Sequence, residues 1–150
     1  MQGIDITFER FLNKGWYYLA TASFFDSKYK GGDDVWRNTA FNKNFVGNFL
    51  IGKEWAMGKN KQHQLNISTR FSYLGGDRFT PINTQASIAA REVRQDYSRA
   101  FQAQAPANYF LHFTVTYRKN YGKYSTLLSL QVLNALGSKE FFGHTFNKKT

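Results

Sequence analysis

The chain has 150 residues, of which 42% are hydrophobic and 18% aromatic, so it is long enough for one folded domain and too rich in aromatic residues for a disordered chain. The absence of cysteine excludes disulfides, thiolate metal sites and a cysteine nucleophile. The formal net charge of +10 and the pI of about 9.9 favour an anionic partner such as nucleic acid, a hypothesis that depends on where the charges lie.

Six β-strands are predicted, because apolar and polar residues alternate with a period of two along most of the chain. The predicted fold class is all-β, an antiparallel up-and-down meander of long strands. The strands are expected near residues 2–12, 16–30, 43–56, 64–75, 107–119 and 124–136.

The first two segments illustrate the pattern. In the first, Ile4, Ile6 and Phe8 share one face, and the acidic and hydroxyl residues between them share the other. The second, residues 16–30, is longer than the five or six residues of a typical globular strand. A strand that crosses a bilayer at a tilt needs about 9–11 residues, so this length fits a transmembrane strand.

The connections between the predicted strands alternate between short and long. Short joins are expected near 13–15, 57–63 and 120–123, and long loops at 31–43 and 76–106. Residues 85–105 are rich in Ala, Gln and Arg and predict a helical turn or two before Pro106. Transmembrane β-barrels have tight turns on the periplasmic side and long loops outside, so this asymmetry predicts a barrel wall.

Aromatic residues crowd the ends of the predicted strands. Those beside the short turns are Trp16, Tyr17, Tyr18, Trp55, Tyr117, Tyr121 and Tyr124. Those at the far ends are Phe25, Tyr29, Tyr73 and Phe79. Girdles of aromatic rings at both interfaces are typical of membrane barrels, although β-propensity alone also enriches strands in these residues.

The basic residues are spread over turns, loops and the tail. The short turns carry Lys14, Lys59, Lys61, Lys119 and Lys123. A nucleic-acid surface would gather such residues beside stacking aromatic rings on one face. Solvated turns are therefore the favoured interpretation, and no nucleic-acid partner is expected.

No catalytic or metal-binding pattern stands out. His63, His112 and His144 have no ligand spacing to one another or to a carboxylate, and Asp33, Asp34 and Asp77 lack the register of a calcium loop. We therefore expect no enzyme activity, no metal and no cofactor.

Several segments, in order, resemble the late barrel hairpins of TonB-dependent outer-membrane receptors. The first half contributes the runs at 3–9, 15–18, 25–29, 37–39 and 52–55. The second half contributes Arg70–Arg78, a strand followed by Gly75-Gly76-Asp77-Arg78, and the near-terminal strand Leu130–Gly137. Each motif is short, and their order over nearly the whole chain carries the resemblance.

The resemblance implies a barrel of about twenty-two strands with a plugged lumen, in the outer membrane. It implies energy-coupled import of a small nutrient, with outer-membrane lipid and an inner-membrane TonB complex as partners. The plug and the TonB-contacting segment have no counterpart here, and Asn147–Thr150 are polar where the family ends in an aromatic strand. We therefore expect a fragment that does not transport by itself.

In such a receptor the long loops meet the substrate first. Trp36, Arg37, Asp77 and Arg78 are the predicted ligand-binding residues, because Trp offers a stacking face and Arg and Asp offer charged hydrogen bonds.

Two other interpretations stay open. A smaller porin-like barrel would lack the coupling machinery. A soluble all-β basic module would use its charge to bind nucleic acid or another anionic ligand.

Overall fold

The computed structural model describes residues 1–140, and these confirm an all-β fold. Six long strands form one antiparallel sheet in which each strand pairs with the next long strand along the chain. They are β1 (Gln2–Asn13), β2 (Trp16–Asp26), β5 (Phe45–Met57), β6 (His63–Leu74), β9 (Asn108–Asn120) and β10 (Ser125–Val132). The predicted six-stranded meander is therefore confirmed.

The connections also alternate as predicted. Lys14 and Gly15, both at positive φ, form the two-residue turn between β1 and β2. The long loops contain short elements of their own: β3 (Lys28–Lys30), β4 (Trp36–Asn38), β7 (Arg78–Phe79), the helix α1 (Thr84–Ala90), a 3-10 turn (Tyr97–Arg99) and β8 (Ala103–Gln104). β3 pairs with β4, and β7 pairs with β8. The helical turns expected within 85–105 are thus present.

Two predicted strand boundaries were wrong. The strand expected over 16–30 is interrupted at Ser27, whose carbonyl accepts a hydrogen bond from the amide of Thr39 instead of a neighbour in the main sheet. The strand expected over 124–136 ends at Val132, because Asn134 adopts φ 49° and the amide of Gly137 bonds back to its carbonyl.

Cross-strand pairing places most of the apolar alternation on one side of the main sheet. We call this side the apolar face; it carries Ile4, Ile6, Phe8, Ala20, Ala22, Phe24, Phe45, Phe49, Ile51, Ile67, Phe71, Leu111, Phe113, Val115, Leu128, Leu130 and Val132. The opposite side, the polar face, carries Asp5, Thr7, Glu9, Thr21, Ser23, Asn48, Asn66, Ser68, Arg70, Ser72, His112, Thr114, Thr116, Ser129 and Gln131.

The apolar face is not covered by any part of the chain that the structure describes. Ile4 is 68% exposed, Phe8 62% and Leu130 67%, and Ala105 is the one buried hydrophobic residue among those described. A soluble domain buries its apolar sheet face against a second layer. The length of the chain allows a buried core, but this sheet is a single layer without one.

Tyrosine and tryptophan on the apolar face are confined to the ends of the strands. These residues have a polar tip and lie within four residues of a strand end: Trp16, Tyr18, Trp55, Tyr73, Tyr109 and Tyr117. Phenylalanine is not restricted in this way: Phe8 and Phe113 lie near the middle of β1 and β9, whereas Phe24 and Phe45 lie at the loop ends of β2 and β5. The Lys53 ammonium lies 4.6 Å from the Trp16 ring centroid and 5.1 Å from that of Trp55, at the short-turn end.

Tyr17 follows the same short turn as Trp16 and Tyr18 but does not belong to this set. It lies on the polar face, where its hydroxyl donates a hydrogen bond to Asn66 Oδ1 at 3.0 Å. Its ring covers Gly52 on the adjacent strand, and a Cβ at residue 52 would overlap the ring. The tyrosine thus fills the space that the glycine leaves open.

We predict that Gly52→Ala lowers the free energy of unfolding by about 1 kcal/mol, the lower end of the usual effect of overpacking, because only the end of the Tyr17 side chain must move. The added methyl group would displace the Tyr17 ring and break its bond to Asn66. Denaturant unfolding of the chain in detergent micelles measures the change. Gly47→Ala on the same strand is the matched control, because the nearest atom to its new Cβ is an ordinary 3.7 Å away. An equal effect of both substitutions would contradict the prediction.

Candidate functional site

Both long loops lie at one end of the sheet, where β5 begins, β6 ends and β9 begins. The amide of Gly75, just after β6, donates to the carbonyl of Phe45 at 2.9 Å. The amide of Ala105 donates to the carbonyl of Asp77 at 3.0 Å. The first bond continues the pairing of β5 with the chain that leaves β6, and the second joins the two ends of the second loop.

Asn42 is the polar centre of this loop junction, and its side chain is fully buried. Its Nδ2 donates to Asp26 Oδ1 at 2.8 Å and to Asn38 Oδ1 at 2.9 Å. A buried amide is tolerated only where its hydrogen bonds are made. Asn42 thus joins the end of β2 to the end of β4.

Arg78 joins the first loop to the second. Its Nε donates to the Asn42 carbonyl at 3.1 Å, and its Nη2 donates to Asn44 Oδ1 at 2.8 Å. The neighbouring Asp77 pairs with Lys43, with 2.6 Å between Oδ1 and Nζ. Two of the four predicted ligand-binding residues, Asp77 and Arg78, therefore have partners within the protein, and these contacts join the two loops.

Arg37, another of the predicted ligand-binding residues, is held by a carboxylate at the tip of the β3–β4 hairpin. Its Nη1 and Nη2 donate to the two oxygens of Asp33 at 2.8 and 2.6 Å. This two-pronged contact lowers the pKa of Asp33 to about 2 from its ordinary value of 3.8. The hairpin is therefore closed by an ion pair between residues four positions apart.

We predict that the hairpin tip loosens in acid. A carboxyl whose pKa is lowered by folding stabilises the folded form above its unfolded pKa, so this contribution is lost as the pH falls from about 4 toward 2. Amide hydrogen exchange at residues 31–37 as a function of pH measures the loss. Asp33→Asn should remove this pH dependence, and an unchanged acid response in that variant would contradict the prediction.

Trp36, the remaining predicted ligand-binding residue, is largely open to solvent. It is 65% exposed at the start of β4. It borders a groove of about 380 Å³ between the β3–β4 hairpin and the 3-10 turn of the second loop. The groove, which we call the loop groove, is lined by Lys28, Val35, Trp36, Arg37, Asn38, Ser98, Arg99, Ala100 and Gln102.

The charge of the loop groove is positive but small. Lys28 pairs with Asp26 at 2.8 Å and Arg37 pairs with Asp33. Within residues 1–140, Arg99 has no carboxylate within ion-pair distance, and its Nε donates to Gln102 Oε1 at 2.8 Å. One guanidinium is therefore left without a balancing anion.

The structure brings together only two of the four predicted site residues, Trp36 and Arg37. The far wall of the groove, Ser98 to Gln102, was missed. A local signal for it exists, because Asp96 Oδ1 accepts from the Ser98 amide at 3.2 Å and caps the 3-10 turn. An Asp two residues before a Ser is a pattern that favours such a turn.

The histidines take part in ordinary contacts. His63 Nδ1 lies 2.6 Å from the Tyr117 hydroxyl, and His112 Nδ1 accepts a 3.5 Å contact from the Asn134 amide. Among the described residues no three His, Asp or Glu side chains gather to hold a metal ion. His144 and Asn147–Thr150 lie outside the described residues.

Comparison of the chain with protein families, with curated proteins and with solved structures gave no match. Within residues 1–140, no helix has the length and apolar character needed to cross a membrane.

Proposed function

We propose that this chain forms part of the wall of a transmembrane β-barrel in the cell outer membrane. The barrel belongs to a TonB-dependent active transporter that imports a small nutrient. The observation that carries the proposal is the uncovered apolar face, which continues across all six long strands opposite a polar face. In a barrel wall, the first face contacts lipid and the second lines the lumen.

The height of the apolar face supports a bilayer as the covering medium. Tyr109 and Tyr117 bracket the apolar part of β9 and are eight residues apart. Eight residues span about 27 Å at about 3.4 Å each. A tilt of about 40° reduces this to about 21 Å, close to the apolar band of about 25 Å in membrane barrels.

The positions of tyrosine and tryptophan also support the proposal. A ring with a polar tip is most stable where its apolar body meets lipid and its tip meets water. On the apolar face these residues occur near strand ends at both the short-turn side and the loop side. Lys53, beside Trp16 and Trp55, has the long apolar stem that allows its ammonium to reach the water interface.

The transport function rests on the resemblance of the ordered hairpin motifs to TonB-dependent receptors. The two sheet edges, β1 and β10, have no partner strand within residues 1–140. In lipid every backbone group must be paired, so a functional barrel needs further strands at both edges. Outer-membrane lipid, a TonB complex and the imported nutrient are the proposed partners.

A soluble module for nucleic acid is less well supported. Such a protein would expose the apolar face to water over six strands, and contiguous apolar patches of that extent are rare on soluble monomers. The short-turn lysines lie at one end of the sheet, as they would at a membrane surface.

The depth of the three tryptophans tests the membrane wall. We expect Trp16 and Trp55 to be quenched by brominated phosphatidylcholine after the full chain is refolded into vesicles, where copies can pair through their β1 and β10 edges, because both residues lie on the apolar face. Trp36, in the loop, should not be quenched. Three variants that each keep one tryptophan and carry Phe at the other two positions separate the signals. Equal quenching of all three residues, or of none, would contradict the proposal.

The receptor and the porin-like alternative differ outside these strands. Sequencing the coding DNA upstream of the segment separates them, because a receptor gene continues into a plug domain and a porin gene does not.

A further inference from the structure

We propose that the loop groove binds an acidic saccharide, with its carboxylate at Arg99 and one sugar ring against Trp36. This inference rests on the proposed transport function for its biological meaning, since it names the substrate class that the loops would receive. The binding itself depends only on the groove.

The ring of Trp36 supplies the first part of the argument. An indole that is 65% exposed contributes little to packing in its own loop. It forms one border of a concave surface, where a flat apolar face is suited to stack against a ring. The C–H face of a pyranose is such a ring.

The rest of the lining is mainly polar. Asn38, Ser98 and Gln102 line the groove, and each already makes one side-chain hydrogen bond within the protein. Within residues 1–140, the side-chain NH2 groups of Asn38 and Gln102 have no such partner. These NH2 groups donate hydrogen bonds, so they suit a ligand that carries several hydroxyl oxygens. A purely aromatic or aliphatic ligand would remove water from these two NH2 groups without replacing it, which costs free energy.

The single unbalanced positive charge of the loop groove favours a ligand that carries one negative group. Because Asp26 and Asp33 balance Lys28 and Arg37, only Arg99 remains to attract a negative group. The planar guanidinium matches a carboxylate in a two-pronged contact. One carboxylate per sugar, as in a uronic acid, fits this balance better than a polyphosphate.

The walls are held in place before any ligand arrives. The Arg37–Asp33 pair fixes one wall, and the Asp96 cap fixes the 3-10 turn of the other. Preorganised walls reduce the entropy that binding must overcome. The volume of about 380 Å³ lies in the lower part of the range for small-molecule sites and suits a disaccharide.

Isothermal titration calorimetry of the full chain in detergent micelles tests the inference. The probes are digalacturonate and the neutral disaccharide galactobiose. We expect digalacturonate to bind about tenfold more tightly or better, because it alone offers a charged hydrogen bond to Arg99. Equal affinity for both probes, or binding of neither, would overturn the inference.

Variants assign the binding to the groove. Arg99→Gln should reduce the affinity for digalacturonate about tenfold and leave galactobiose binding unchanged. Trp36→Ala should weaken both, and Trp36→Phe should restore most of the loss by keeping a ring. Arg118→Gln, on β9 near the short-turn end, makes the same chemical change away from the groove and should leave both affinities unchanged. Equal losses in Arg99→Gln and Arg118→Gln would overturn the site.

The two proposals fail separately. Tryptophan quenching in vesicles without saccharide binding would overturn the groove and leave the barrel wall supported. Saccharide binding that depends on Arg99, without tryptophan quenching, would support the groove and overturn the barrel wall.

Discussion

Phe113→Lys is expected to raise the free energy of folding into phosphatidylcholine vesicles by about 2–4 kcal/mol, the cost of a lysine at the lipid-facing midplane of a barrel. Phe113 lies halfway between Tyr109 and Tyr117 on the apolar face of β9. Its neighbours across the strands, Thr69 and Val132, carry no charge that could pair with an ammonium. The lysine would therefore have neither water nor a counter-ion at this depth.

The control for this experiment is the next residue along the strand. Thr114 lies on the polar face, paired with Ser68 and Gln131. Thr114→Lys adds the same side chain at the same depth, facing a lumen where water is present. Its effect on the folding free energy is expected to be several-fold smaller. Urea titration of both variants in vesicles measures the difference.

The comparison of these two variants distinguishes lipid from a protein partner as the medium that covers the apolar face. If a protein partner covered this face, Phe113→Lys would abolish that association in solution and would not depend on vesicles. Equal effects of the two lysines would show that both faces of the sheet are in the same medium. Such a result would contradict the membrane-wall proposal, which places lipid on the apolar face and water on the polar face.

The strands could be predicted from sequence because their signal is local. The alternation of Ile4, Ile6 and Phe8 with polar residues sets the faces of β1, and the same rule holds along the other long strands. The composition does not reveal what covers the apolar face. Forty-two per cent hydrophobic residues fits a buried core or a lipid-facing surface equally well, and only pairing the strands shows that one layer carries them.

The loops could not be predicted in the same way, because their contacts connect distant positions. Arg78 was selected as a ligand-binding residue for its charge, yet it bonds to Asn42, which is 36 positions earlier. Arg99 was not selected, although the fold brings it into one groove with Trp36. The alternation of apolar and polar residues, which predicts strands, does not indicate which loop residues come together in the fold.

The second large effect is expected at the loop junction, where Gly75 and Gly76 lie between the backbones of two neighbouring segments. A Cβ at Gly75 would overlap the carbonyl oxygen of Lys43, and a Cβ at Gly76 would overlap that of Ala105. A flexible side chain could rotate away from a new methyl group, but these carbonyls belong to backbone that leads directly into β5 and β9. We therefore expect Gly75→Ala and Gly76→Ala each to lower the free energy of unfolding by about 3 kcal/mol, the upper end of the usual overpacking range.

Denaturant unfolding in micelles measures this loss, and amide hydrogen exchange locates it. The amides of Gly75 and Ala105, which donate to Phe45 and Asp77, should lose protection, because the methyl group separates the segments that they join. Gly122→Ala in the last short turn is the matched control, since its Cβ would meet no atom within 4 Å. The loop groove depends on the same junction, because Arg78 and Asn42 hold the hairpin and the second loop together there. Protection at the junction that survives both substitutions would mean that the two loops are positioned by other contacts, and the geometry of the groove would then lose its structural basis.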